Sequence, residues 1–287
     1  MAGTAQASFW LRLLQFPLVR LALLGAIFFL LIGISNDFGI LFAGSPLISV
    51  AVAAGMAAAG LAVYYAFVRL VEQRQVHELG LKGMGRELGL GMLIGGGLCI
   101  LCVLVLMMSG VYRIDGINPV MVTLPALAMA LSSGVLEELM YRGGLFRIVE
   151  ESLGSWISLA VSALVFGLSH YAPVEGALWG SIAITIEAGL LLAAAYMVTR
   201  RLWISIGLHM AWNFAQSGVF SGIVSGSFNQ PGLFTSTLEG SDWLTGGAFG
   251  MEASVVAVGV CTAAGLLLLM LAIRRGKLMP PFWLRTT

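Results

Sequence analysis

Charged side chains are too scarce in this sequence to cover a water-soluble protein of its length. Only 10% of the 287 residues are charged, 59% are apolar, and the mean hydropathy is +0.96. Soluble globular proteins are about 25% charged. We therefore expect a protein surrounded by lipid. The 15 basic and 14 acidic residues nearly balance, so the composition indicates no nucleic-acid partner.

The apolar segments predict an all-α, polytopic membrane protein, with about eight transmembrane helices in a single membrane domain over residues 1–287. A helix needs about 20 mostly apolar residues to cross the hydrocarbon core of a bilayer. The fifth and seventh segments are short, and each carries a histidine. The predicted spans are about 20–41, 47–69, 89–110, 120–142, 156–171, 178–199, 202–216 and 251–273.

The basic residues predict how these helices are oriented, because Lys and Arg accumulate on the cytoplasmic side of a membrane. With both termini in the cytoplasm, 14 of the 15 basic residues lie at or near that face, and only Arg113 falls outside. We therefore expect an integral, multi-pass membrane protein with both termini in the cytoplasm. Separately from the charge argument, we expect its membrane to be a bacterial plasma membrane. Residues 72–87 then form a polar surface segment, and residues 217–250 form an extracytoplasmic loop.

Ionisable side chains inside the predicted spans are candidate functional residues, since each costs about 2.5–3.5 kcal/mol at a helix centre. Glu187 faces no evident partner and is left unassigned, whereas Glu252 lies at a span edge where solvation is easy. Cys99 and Cys102 lack further metal ligands nearby, so we expect small core residues. The candidates are Glu137, Glu138, Arg142, His170, Glu187 and His209.

Sequence spacing predicts which of these side chains meet. Glu138 and Arg142 are four residues apart and can form an ion pair on one helix face. Glu137 lies 17 residues before a turn near Gly154, and His170 lies 16 residues after it. Because antiparallel neighbours equidistant from a turn lie at the same depth, Glu137 and His170 can face each other.

The seventh span adds an imidazole and an amide to the same region. His209 and Asn213 are four residues apart and can face one site, and Phe166, one turn before His170, can form a wall of the cavity. This set suits hydrolysis. Glu137 can hold a water and remove its proton, and His170 can position that water or protonate a leaving amine.

Two mechanisms remain open from the residues alone. His209 and Asn213 can donate hydrogen bonds to an oxyanion in a metal-free reaction. Alternatively, Glu137, His170 and His209 can bind zinc, with a water as the fourth ligand. Spacing does not decide between them.

Three short motifs resemble those of the CAAX protease and bacteriocin-processing family, which includes the type II CAAX prenyl endopeptidases. Residues 137–142 match its EExxxR motif, residues 166–170 its FxxxH motif, and residues 209–213 its HxxxN motif. The three occur in the family's order, each on a predicted membrane helix. The resemblance covers about residues 70–275.

This resemblance implies an intramembrane endopeptidase that cleaves a membrane-anchored peptide, either of the prenylated CAAX type or another. It implies Glu137 as the base, completed by His170, His209 and Asn213, with Glu138 and Arg142 in support. Members are often described as metalloproteases. We expect a metal-free mechanism without a cofactor, because the zinc motif HExxH is absent, and zinc stays the alternative.

Two other classes of function compete with proteolysis. A non-catalytic scaffold or bacteriocin-immunity protein would keep the fold and the motifs but bind a partner instead. A transporter could use Glu137, Glu187 and the histidines as a proton relay. The sequence shows neither inverted repeats nor paired broken helices, which disfavours the transporter.

Overall fold

A computed structural model describes residues 9–227 and 230–285, and it confirms the predicted all-α, polytopic fold. Within these residues six helices are long and apolar enough to cross a membrane, so the predicted count of eight is not confirmed. They are Pro17–Leu41, Pro46–Leu70, Met84–Met108, Val120–Ser169, Ala177–Thr199 and Val255–Arg274.

Two features account for the difference in number. The helix Val120–Ser169 contains two predicted spans, and it is interrupted at Gly154, where φ is 79° and ψ is 172°. The predicted span 202–216 lies in a helix of only 11 residues that continues into a π-helix of 6 residues. Position 154 needs a glycine, because any side chain there would be strained at this positive φ and would also meet the backbone of Pro281.

Eleven α-helices and two strands form the described part of the chain. The helices are α1 Phe9–Leu14, α2 Pro17–Leu41, α3 Pro46–Leu70, α4 Met84–Met108, α5 Leu124–Glu138, α6 Arg147–Ser169, α7 Ala177–Ile184, α8 Leu190–Thr199, α9 Trp203–Asn213, α10 Asp242–Thr245 and α11 Val255–Arg274. The strands are β1 Tyr112–Ile117 and β2 Phe234–Leu238. Short 3₁₀-helices lie at His77–Leu79, Val120–Thr123, Gly247–Phe249, Met251–Ala253 and Phe282–Leu284.

Three π-helices extend or join these α-helices. We name them π1, which follows α5, π2, which joins α7 to α8, and π3, which follows α9. Their bounds are Leu139–Phe146, Thr185–Gly189 and Phe214–Val219. In a π-helix the hydrogen bonds run from residue i to i+5, and such turns are frequent at functional sites. Nothing in the amino-acid pattern predicted them.

Glycines bring α4 and α9 into close contact, which fixes the position of the helix that carries His209. A Cβ atom on Gly91 would lie 2.9 Å from the Leu208 nitrogen, and one on Gly95 would lie 2.9 Å from the Leu208 Cα. Small residues four apart allow this approach in membrane helices. Larger side chains at these positions would push α9 away from α4.

The two strands pair antiparallel at one end of the bundle. Tyr112 lies opposite Leu238, and Ile117 lies opposite Phe234. Residues 217–250, predicted as a loop, therefore contribute a strand and a short helix. The Tyr112 hydroxyl donates to the Phe220 carbonyl at 2.8 Å, which ties the sheet to the end of π3.

The opposite end of the bundle contains a network of ion pairs that includes residues 72–87. The prediction of a polar surface segment there was incomplete, because some of its side chains are buried in this network. Glu78 is only 3% exposed and accepts hydrogen bonds from Arg74 and from the Tyr64 hydroxyl. Glu72 accepts from Arg147 at 2.7 Å. These contacts join the segment to the beginning of α6. Cys99 and Cys102 are fully buried, as predicted for core residues.

Candidate active site

The end of α5 and the beginning of π1 carry a fully buried ion pair. The Arg142 Nη1 atom lies 2.9 Å from Glu138 Oε1, and both side chains are 0% exposed. The Arg142 Nη2 atom faces the carbonyl oxygens of Ala188 and Gly189 in π2, at 3.5 and 3.4 Å. The guanidinium thus links π1 to π2, and its charge is balanced by Glu138 rather than by solvent.

Glu138 also orients His209, which α9 presents from the other side. The His209 Nδ1 atom lies 3.0 Å from Glu138 Oε1. An ionised carboxylate only accepts hydrogen bonds, so the Nδ1 atom carries the proton in this arrangement. The opposite ring nitrogen, Nε2, lies 4.0 Å from Glu137 Oε2.

His170 immediately follows α6, and its ring is oriented by the backbone. Its Nδ1 atom lies 2.7 Å from the Phe166 carbonyl oxygen, which can only accept a hydrogen bond, so Nδ1 is the donor. Its Nε2 atom lies 3.5 Å from Glu137 Oε2. Both histidines therefore present Nε2 to the same carboxylate oxygen, and Glu137 and His170 lie at one depth as the spacing predicts.

Phe166 forms the wall between these groups and the buried ion pair. Its ring centroid lies 4.4 Å from the Arg142 Cζ atom and 4.4 Å from the His170 ring centroid. The His209 ring packs against it at 6.0 Å. Phe166 is 2% exposed, so it shields the guanidinium from the cavity and holds both imidazoles in place.

Asn213 lies one turn beyond His209 and also lines the cavity. Its Nδ2 atom donates to Ser133 Oγ at 3.1 Å, which fixes the amide between α9 and α5. An amide nitrogen has two hydrogens. Among the described residues the second has no acceptor, so it can donate to a substrate group. Ser133 was not among the predicted site residues. It lies one turn before Glu137, and nothing in the sequence around it distinguishes it as a site residue.

A cavity of about 210 Å³ connects these side chains. Glu137 Oε2 is buried and makes no hydrogen bond to any residue that the structure describes. Apolar side chains and backbone make up the rest of the wall. The polar groups that line it are Asn36, Ser133, Glu137, His170, Glu187, His209, Asn213, Ser225, Ser227 and Glu252.

Residues 119–215 match the model of the Rce1-like family, described as type II CAAX prenyl endopeptidase Rce1-like. This segment is similar to that family. It contains all three motifs, and it confirms the resemblance inferred from them. Comparison with curated proteins and with solved structures found no match.

The matched segment also includes Glu187 but ends before Glu252, and both carboxyl groups line the cavity. The expectation that Glu252 is easily solvated was wrong, because the side chain is only 3% exposed. Glu252 accepts from the backbone nitrogen of Ser225 at 2.6 Å and from Trp212 Nε1 at 3.3 Å. These partners come from distant parts of the chain, so its position in the sequence gave no signal of burial.

The zinc alternative finds no support in the geometry of this site. Across residues 9–227 and 230–285, no group of three or more His, Cys, Asp and Glu side chains is arranged to hold a metal ion. The set Glu137, His170 and His209 is therefore not among such groups, and its use of zinc stays a separate prediction. The chemistry proposed below uses only side-chain and backbone groups of this chain.

Proposed function

We propose that this protein is an intramembrane endopeptidase that hydrolyses a peptide bond of a membrane-anchored substrate. The observation that carries the proposal is the position of Glu137 Oε2, which is buried, unpartnered among the described residues, and faced by His170 Nε2 at 3.5 Å and His209 Nε2 at 4.0 Å. A water molecule occupies about 30 Å³. The cavity of about 210 Å³ therefore has room for a water and for one substrate amide beside it.

In the first step, Glu137 acts as the general base. Its carboxylate accepts a proton from the bound water while the water oxygen forms a bond to the carbonyl carbon of the substrate. With Nδ1 donating to the Phe166 carbonyl, neutral His170 presents an Nε2 lone pair that accepts the other water hydrogen. The two side chains together fix the direction of attack.

In the second step, the carbonyl electron pair moves to the oxygen and then returns as the C–N bond breaks. The free Asn213 hydrogen and His209, when protonated, donate hydrogen bonds to the oxyanion. The leaving nitrogen takes a proton from Glu137, directly or through His170. The products are a carboxylic acid and an amine, so one water is consumed and no other reactant is needed.

Glu138 and Arg142 support the site through His209. Because Glu138 accepts from both Nδ1 of His209 and Nη1 of Arg142, it holds the imidazole with Nε2 directed at the cavity. It also stabilises the imidazolium that donates to the oxyanion. Neither side chain needs to touch the substrate.

Cleavage of reconstituted substrates tests the proposal. The full-length protein is assayed in liposomes against a prenylated CAAX peptide and an unmodified single-span peptide, each carrying a fluorophore and a quencher. We expect Glu137→Gln, His170→Ala and His209→Ala each to slow cleavage by at least about 100-fold, the usual contribution of a general base or oxyanion donor.

Two exposed residues provide matched controls. His77→Ala and Glu239→Gln remove the same chemical groups outside the cavity and should leave cleavage unchanged. A Glu137→Gln protein that cleaves at the parental rate would contradict the proposal. If no peptide is cleaved and the same variants keep their effect in cells, the non-catalytic scaffold is favoured instead.

A further inference from the structure

Two carboxylates on the cavity wall have no part in the hydrolysis described above. Glu187 is 2% exposed and Glu252 is 3% exposed, yet both line the cavity that contains Glu137. An ionisable side chain buried in a membrane protein is costly and usually marks a functional site. Both side chains therefore need an explanation beyond packing.

Glu187 is the less satisfied of the two. Among the described residues no N–H or O–H group donates to it, and the thiol of Cys261, a weak donor, is the polar side chain beside it. Its backbone lies in π2, whose next two carbonyls face Arg142. The structure thus holds a carboxylate on the cavity wall without supplying its counter-ion.

Glu252 is held in place by its neighbours. The Ser225 nitrogen and hydroxyl both donate to Oε2, at 2.6 and 3.0 Å, and Trp212 donates to Oε1 at 3.3 Å. All three contacts are donors to the carboxyl oxygens, so they hold the group in one orientation. They fix this carboxyl group at the cavity wall close to the loop that follows π3.

Carboxyl groups outnumber every other ionisable group on the cavity wall. Glu137, Glu187 and Glu252 line it, and no Lys or Arg among the described residues does so. Arg142 lies behind Phe166, and its charge is already balanced by Glu138. Away from His170 and His209, an anionic substrate group would face only carboxyl groups on this wall, whereas a cationic group would find unused acceptors.

We propose that Glu187 and Glu252 form a binding subsite for a cationic side chain, Lys or Arg, of the substrate peptide near its scissile bond. The proposal deepens the proposed function, because it names the substrate class of the same cavity. Glu187 supplies acceptor oxygens that no N–H or O–H group of the described residues uses, and Glu252 supplies a second carboxyl group that its neighbours hold in place. A lysine that enters the cavity exchanges water for these carboxylates and places the adjacent amide within the cavity.

Binding of matched peptides tests the subsite without relying on cleavage. The probes are N-palmitoylated, C-terminally amidated ten-residue peptides of apolar sequence with a fluorophore. One series carries a single Lys at each position in turn, and the other carries norleucine, which keeps the stem but lacks the charge. Dissociation constants are measured in nanodiscs of uncharged lipid, for the parent protein and for Glu137→Gln, with empty nanodiscs as the background.

We expect the Lys peptide to bind about tenfold or more tightly than its norleucine partner at one or two positions, as a buried charge-assisted hydrogen bond provides. Glu187→Gln should reduce this ratio of norleucine to Lys dissociation constants to about twofold or less, and Glu252→Gln should reduce it in part. Glu239→Gln removes an exposed carboxylate of the same charge and should leave the ratio intact.

Two results would overturn the subsite. The first is that norleucine and Lys peptides bind with equal dissociation constants, or do not bind, at every Lys position in both the parent and Glu137→Gln. The second is a Lys preference that survives in both Glu187→Gln and Glu252→Gln. A Lys preference without any cleavage would leave the subsite standing while the proposed hydrolysis fails. Glu137-dependent cleavage without a Lys preference would do the reverse.

Discussion

Replacing Glu138 by Gln tests whether the buried ion pair holds the site together. Glu138 and Arg142 are both 0% exposed and lie 2.9 Å apart, so Glu138→Gln leaves a guanidinium without its counter-ion. At an effective dielectric constant of about 20, two unit charges at this separation attract by about 6 kcal/mol. Glutamine retains one hydrogen bond to Arg142, which returns about 1 kcal/mol.

The expected loss is therefore about 3–5 kcal/mol in the free energy of unfolding, the range found when one partner of a buried pair is removed. The double variant Glu138→Gln, Arg142→Met also removes the stranded charge and keeps a side chain of similar length. It should be less destabilised than Glu138→Gln alone. The two changes are thus expected to be strongly non-additive.

Unfolding is followed by tryptophan fluorescence in mixed micelles as the fraction of sodium dodecyl sulfate rises, for the parent, both single variants and the double variant. A coupling energy of at least about 2 kcal/mol is expected for a contact of this kind. Additive effects of the two substitutions would refute the reasoning, since they would show that the guanidinium does not depend on Glu138. The double variant should still cleave poorly, because His209 loses the carboxylate that stabilises its protonated form.

Three further predictions concern helix packing, pH and metal. Gly95→Leu should lower the free energy of unfolding by about 1–3 kcal/mol and slow cleavage, because a side chain there meets Leu208 and displaces α9. Gly97→Leu is the control, since a Cβ atom at Gly97 has no atom within 4 Å, and it should change neither quantity in the same assays. Burial alone would raise the pKa of Glu78, but hydrogen bonds from Arg74 and Tyr64 outweigh it and hold that pKa below its usual value of 4.5. Glu78 thus stabilises the fold fully above pH 4.5 and loses this effect as the pH falls through its lowered pKa, so the melting-temperature difference between parent and Glu78→Gln should narrow below pH 4.5. Cleavage should persist after dialysis against a chelator. If metal analysis instead finds one zinc per chain and the chelator abolishes cleavage, our preference for a metal-free reaction is reversed.

Residue spacing was sufficient to predict the contacts within one helix and across one short turn. The Glu138–Arg142 pair follows from a separation of four residues, and the approach of Glu137 to His170 follows from their equal distance to Gly154. Both arguments need only the geometry of a regular helix and a hairpin. The catalytic roles of these residues remain predictions.

Features that depend on distant parts of the chain were not predictable in this way. The strand β1 pairs with a segment more than 100 residues later, and neither strand is long enough to show a clear alternation. Glu252 was expected at a solvated edge, but Trp212 and Ser225 reach it through tertiary contacts. The number of membrane crossings differed because Gly154 breaks a helix without ending it, and because the helix bearing His209 is short.

The three π-helices allow the chain to differ in length at the site without moving the helices around it. A π-turn holds one residue more than an α-turn, so loss of one residue from π1 would let the segment close into ordinary α-helix while the flanking helices keep their orientation. Arg147 would then keep its contact with Glu72, to which it now donates at 2.7 Å, and the side chains within π1 would be redirected instead. Single-residue deletions at π1, π2 and π3 should therefore change the site locally and leave the rest of the fold in register, and relatives that lack one of these turns should show a one-residue gap there.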